Sequence, residues 1–146
     1  MKHKWSILCK KSVTDGETNI MSLLELIEGI TIEANSDKPD FDFKKETFVL
    51  PLEFELVSYI TGLNSEISNI FFKVELFNDS KDKIGEIENK VEIPKNKKNI
   101  RNRTMFRQMN IKGDGMYNFK LSIKKSKDDK YKKVEDIPFK VEFSDK

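Results

Sequence analysis

At 146 residues the chain is sized for one domain with a real apolar core, and no stretch approaches the roughly 18 consecutive apolar residues of a membrane helix. Hydrophobic residues make up 37% and charged residues 36%, so the solvent faces must be densely charged. A single cysteine, Cys9, excludes an intrachain disulfide, and a single histidine, His3, leaves no zinc site of ordinary composition and little basis for histidine acid–base chemistry.

Trp5, Ile7, Cys9 and Val13 alternate on one face of a first strand, with Lys11 as the exception. Thr14 to Asn19 has the polar, glycine-containing make-up of a hairpin turn. Ile20 to Ala34 is ambiguous. Ile20, Leu23, Leu24 and Ile27 suit a short amphipathic helix, whereas one long strand kinked at Gly29 suits the preceding turn better, and the strand is the reading adopted. Asn35 to Lys45 reads as a loop in which Phe41 and Phe43 are candidate anchors.

Phe48, Leu50, Leu52, Phe54 and Leu56 give the cleanest alternation in the chain. Pro51 lies on the opposite face, which places it at an edge, at a bulge, or ahead of the true strand start. Ile70, Phe72, Val74 and Leu76 point inward on the next strand, with Phe71 and Phe77 on its other side. Ile84, Ile87, Val91 and Ile93 belong to a short strand or strand pair ending at Pro94. Lys95 to Arg103 reads as a basic loop, and Thr104 to Ile111 as a weakly patterned strand. Gly113 to Ile123 begins with a glycine-bounded turn, then alternates strictly, with Tyr117, Phe119, Leu121 and Ile123 on one face. Ser126 to Lys130 turns the chain into a last strand carrying Ile137, Phe139, Val141 and Phe143.

Short connections favour antiparallel pairing. The expected fold is therefore all-β: an antiparallel β-sandwich of seven to eight strands with at most one short helix, forming a single domain over residues 1–146. A barrel is the alternative.

The run Met109 to Phe119, with its Gly115-Met116-Tyr117-Asn118-Phe119 core, resembles the late part of immunoglobulin-like and fibronectin-like domains. That resemblance implies an immunoglobulin-like sandwich in which the Tyr117 hydroxyl bonds backbone across a tyrosine corner. Phe119 would stand where antibody domains carry their second core cysteine. The whole chain is also similar to a group of small bacterial and phage β-sandwich proteins from which no function carries over.

No catalytic constellation is legible, so the expectation is a non-enzymatic module. Cys9, on an apolar strand face, reads as an inert core thiol. Asp37, Asp40 and Asp42 fit no EF-hand spacing and read as solvated loop residues, so no metal or other cofactor is expected. No phosphate-binding glycine loop is present either, because Gly113 and Gly115 precede a strand.

The net charge of +2 hides a split. Residues 1–94 hold 11 Lys/Arg against 18 Asp/Glu, and residues 95–146 hold 16 against 7. Lys95, Lys97, Lys98, Arg101, Arg103 and Arg107 form the densest basic cluster, interleaved with Asn96, Asn99 and Asn102. A second cluster, Lys124, Lys125, Lys127, Lys130, Lys132 and Lys133 around Tyr131, is blunted by acidic neighbours. Two readings of function follow. The first is protein interaction or self-association through loops or strand edges. The alternative is binding of nucleic acid or an anionic surface through 95–107. An enzyme built on a carboxylate pair comes third. The lone cysteine and the early Lys10-Lys11 break in the apolar start point to a cytoplasmic location, without a signal peptide and without a membrane.

Overall fold

A computed structural model describes residues 1–34 and 45–145. Asp37, Pro39, Asp40, Phe41, Asp42 and Phe43 lie outside the described residues. The described chain forms nine strands and no helix: β1 (Lys2–Thr14), β2 (Met21–Leu26), β3 (Gly29–Ala34), β4 (Phe48–Thr61), β5 (Asn69–Phe77), β6 (Lys83–Glu92), β7 (Ile100–Ile111), β8 (Gly115–Lys124) and β9 (Lys132–Asp145). The first sheet runs β2-β1-β4-β7. The second runs β3-β9-β8-β5-β6 and curls into a half-barrel.

The strand count exceeds the seven to eight expected, and one pair is parallel. Both departures come from Ile20–Ala34. β2 folds back on β1, with Thr14 opposite Met21 and Cys9 opposite Leu26. The chain then crosses to the other sheet at Ile27–Glu28. The Ile27 N–H donates to the Leu8 carbonyl at 3.0 Å, and the Lys140 N–H donates to the Glu28 carbonyl at 3.0 Å. β3 continues parallel to β9, Gly29 opposite Lys140 and Ile32 opposite Phe143. Gly29 makes the approach feasible, since a Cβ there would run into the Lys140 carbonyl.

One apolar core is shared by the two sheets. At its centre Phe54 and Phe106 of the first sheet stack at 4.6 Å, and Phe119 of the second meets them edge-on at 5.8 and 5.7 Å. Phe139 completes the group, 5.6 Å from Phe119. Edge-to-face packing sets a positive ring edge against a negative ring face, so it adds an electrostatic preference to area burial.

Pro51 sits where β4 has only one neighbour. The β1–β4 ladder ends at Cys9–Glu55, so near Pro51 only β7 pairs with β4. The β4–β7 register shifts between Pro51 and Phe54. That shift accounts for the weak pattern of β7, in which Phe106 and Met109, three residues apart, are both buried.

Side chains rather than a backbone ladder close the sheets along β6 and β7. Asn89 Nδ2 donates to Asn102 Oδ1 at 3.2 Å, and Asn110 Nδ2 donates to the Ile84 carbonyl at 2.6 Å. At the β7–β8 corner the Lys112 N–H donates to the Tyr117 hydroxyl at 2.8 Å. The same hydroxyl donates to the Gly113 carbonyl at 2.6 Å.

Candidate functional site

The outer face of the first sheet is where the basic residues of 95–107 gather. β7 begins at Ile100, not at Thr104, so the basic segment is a short loop followed by a strand. Pairing with β4 continues through that extension, with Tyr59 opposite Arg101 and Val57 opposite Arg103. Successive side chains of a strand alternate between faces. Arg101, Arg103, Met105 and Arg107 therefore share the outer face, while Asn102, Thr104 and Phe106 turn inward and are buried.

Asn102 is consequently not a surface contact. It donates to Thr104 Oγ1 at 3.3 Å and accepts from Asn89. Asn96 occupies a left-handed turn position, φ 69°, ahead of Lys97 and Lys98. The Lys98 carbonyl accepts from the Leu63 N–H at 3.0 Å, which anchors this loop to the rest of the fold.

A cleft of about 610 Å³ opens on this face. Lys97, Lys98, Arg101 and Arg103 contribute its cations, and Trp5 and Tyr59 its aromatic rings. The two rings pack at 5.7 Å, tilted by 32°. Arg101 Nη2 donates to the Asn19 carbonyl at 2.6 Å and so ties β7 to the β1–β2 hairpin. That hairpin is itself stiffened by Asp15 Oδ1, which accepts from the N–H groups of Glu17 and Thr18.

A second cleft of about 390 Å³ lies beyond Arg103 and is bordered by Lys10, Lys11, Met105 and Arg107. Arg103 lines both clefts. Its guanidinium is held by Glu55, Nη2 to Oε1 at 2.5 Å and Nε to Oε2 at 3.3 Å. Ser12 also donates to Glu55 Oε2, from its N–H at 3.1 Å and its hydroxyl at 2.5 Å. Burial works against the Glu55 charge, but the bonds from Arg103 and Ser12 outweigh it and hold the carboxyl below its ordinary range. Of the six basic residues singled out in the sequence, only Lys95 borders neither cleft.

Cys9 is fully buried beneath this face rather than within the main core, and its cross-strand partners are Glu55 and Leu26. Burial, then the Glu55 carboxylate, push its thiol up, away from reactivity.

In the other basic cluster, Lys124 and Lys133 are engaged by their own surroundings. Lys73 and Lys124 each lie 4.6 Å from the Tyr131 ring centre, and Lys133 pairs with Asp136 at 2.6 Å. The charge split along the chain is partly cancelled in space, through Arg103–Glu55, Lys112–Asp82 and Lys120–Glu75.

His3 does not fray. Its side chain is 8% exposed, with Nε2 2.7 Å from Ser6 Oγ, which is 2.8 Å from Ser58 Oγ. Glu135 lies 3.9 Å from Nδ1, beyond hydrogen-bonding reach. The order Ser–His–carboxylate is that of a hydrolytic triad, yet Ser6 pairs with Ser58 on the inward face, and neither lines a cleft described above. We read it as a structural polar chain. Burial lowers the His3 pKa, against the opposing pull of Glu135.

Comparison with protein-family models, curated proteins and solved structures gave no match. The chemistry of the site therefore rests on the geometry alone. Among the described residues no three His, Cys, Asp or Glu side chains are grouped to hold a metal ion, and no helix is long and apolar enough to cross a membrane.

Trp5 and Tyr59 are the site residues that sequence reasoning missed. Trp5 alternates with Ile7 and Cys9 and so reads as core. The available signal was in β4, where Leu56 and Ile60 on one face are interleaved with Val57 and Tyr59 on the other. Such a strand needs cover on both sides, and the outer cover here is the Trp5–Tyr59 and Arg103–Glu55 layer.

Proposed function

We propose that this chain is a non-enzymatic binding module that holds an anionic partner on the outer face of its first sheet. The observation that carries this reading is the convergence of Lys97, Lys98, Arg101 and Arg103 around one cleft that Trp5 and Tyr59 also line. Lys97 and Lys98 are exposed and form no ion pair among the described residues, so their charge is available to a ligand. The test is retention on a polyanion such as heparin as salt is raised. Binding should weaken steeply with ionic strength. The combined change Lys97→Glu, Lys98→Glu should abolish it, and absence of retention at low salt would overturn the reading.

A second reading, protein interaction, is favoured by the apolar residues next to this face. Leu26 is 62% exposed and Met105 60%. Leu24 and Leu26 lie on β2, an edge strand whose free side could accept an added strand. Light scattering that shows a dimer, dispersed by Leu26→Lys, would support it over the anionic reading.

We further read the fold as an immunoglobulin-like sandwich. The bonds of Tyr117 at the start of β8 match the tyrosine corner, and the order β9-β8-β5-β6 is that of strands G, F, C and C′ in the larger sheet of variable-type domains. This class commonly works by presenting surfaces to partners, which fits a binding role in the cytoplasm.

A further inference from the structure

We propose that the anionic partner is single-stranded nucleic acid, with bases stacked on Trp5 and Tyr59 and phosphates on Arg101, Arg103 and Arg107; this rests on the reading of the cleft given above. Spacing is the first argument. Outward residues two apart on a strand are separated by about 7 Å. Arg101 and Arg103 thus form a ladder of cations that Arg107 extends, alongside the two clefts. Such a repeat suits an extended polynucleotide backbone, one phosphate per rung. A compact anion would use one rung and leave the others unexplained.

The rings are the second argument. Two aromatic side chains within a basic cleft serve a ligand with flat faces as well as charge, and base stacking on such rings is sequence-tolerant. Tyr59 stands opposite Arg101 in the ladder, so a base on the ring and its phosphate on the guanidinium lie within one nucleotide of each other. A duplex is excluded on the same ground, because its bases are already stacked and cannot reach Trp5.

Arg103 has a particular place in this arrangement. Two of its nitrogens are committed to Glu55, and its side chain is still 44% exposed. It is therefore a pre-positioned hydrogen-bond donor between the two clefts, its charge largely balanced by Glu55 and its remaining N–H groups held in place before the ligand arrives.

Trp5 is the only tryptophan, so its fluorescence reports the site directly. The probes are an oligothymidylate of about 12 nucleotides, within the span of known single-strand sites, the same length made duplex, and inorganic polyphosphate. The oligothymidylate should quench Trp5 and bind more tightly than either control. By anisotropy of a labelled oligothymidylate, Trp5→Leu should weaken binding roughly tenfold or more and weaken polyphosphate binding by a much smaller factor. Trp5→Phe, which keeps a ring, should restore most of the affinity; thermal unfolding checks that both variants fold. If polyphosphate binds as tightly as the oligothymidylate and Trp5→Leu alters neither, the nucleic-acid proposal falls while the anionic reading stands. Equal binding of the duplex also overturns the proposal. If nothing binds at low salt, both fall.

Discussion

The Arg103 guanidinium lies across the Glu55 carboxylate on the outer face of the first sheet, with Nη2 2.5 Å from Oε1. Glu55 is 4% exposed and Arg103 covers it. Removing Arg103 would leave a buried carboxylate with Ser12 as its remaining partner. Loss of one member of a buried pair costs about 3–5 kcal/mol, but Arg103 is partly solvated, so about 1–3 kcal/mol is expected for Arg103→Met. The double change Arg103→Met, Glu55→Met should recover most of that loss, because it removes the stranded charge as well. Chemical denaturation of the three variants measures both. A consequence for binding studies is that Arg103 variants confound affinity with stability, whereas Lys97 and Lys98 do not.

The same carboxylate sets an acid limit. The Glu55 pKa is depressed in the folded protein relative to its ordinary value of 4.5. The folded state then binds fewer protons than the unfolded state between those two values. Its stabilising contribution is complete above 4.5 and is lost as pH falls from there through the folded value. Glu55→Gln should therefore be less stable than the parent at neutral pH, and the gap should narrow below pH 4.5. A constant gap from pH 7 to 3, followed by urea unfolding, would show that the charge of Glu55 is not what matters.

Much of this architecture was legible in the sequence because half-buried strands write period-two patterns. β8 is the clearest case: Tyr117, Phe119, Leu121 and Ile123 alternate, and all four are buried. β7 was misread at its start and blurred in its middle, while its end at Ile111 was placed correctly. Its start at Ile100 was hidden because Arg101 and Arg103 look like loop charge, although they are the solvent face of a strand. Its middle was blurred by the bulge opposite Pro51, whose effect on pairing depends on β1 having left β4 at Glu55. The switch of Ile20–Ala34 from one sheet to the other was beyond any local pattern, since Gly29 is explained only by the Lys140 carbonyl more than a hundred residues away. The site was half legible for a similar reason. Its cations are contiguous in sequence, but its rings come from β1 and β4 and join them only through strand pairing.

Gly29 should be intolerant of any side chain. A Cβ would collide with the Lys140 carbonyl, which belongs to the backbone of the paired strand and cannot rotate away. Gly29→Ala should cost about 1–3 kcal/mol, in the range of overpacked positions. The damage should be local. Hydrogen exchange at Ile30 and Ile32 should accelerate as β3 lifts from β9, while Leu121 and Phe72 stay protected. Exchange that accelerates evenly in both sheets would mean that β3 is not the part that yields.

Tyr117 separates fold from function. Its ring is fully buried, and its hydroxyl serves two backbone groups at the β7–β8 corner, Lys112 N–H and Gly113 C=O. Tyr117→Phe keeps the ring volume but leaves both groups without that partner. The expected loss is about 1–3 kcal/mol, seen as a fall in Tm of several degrees by calorimetry. The corner shares no residue with either outer-face cleft. Below its lowered Tm the variant should therefore retain the salt-dependent affinity of the parent. A variant that folded normally yet lost polyanion binding would place the binding surface at the corner instead of on the first sheet. That single result would redirect attention from Trp5 and Arg101 to the turn that carries Lys112 and Asp114.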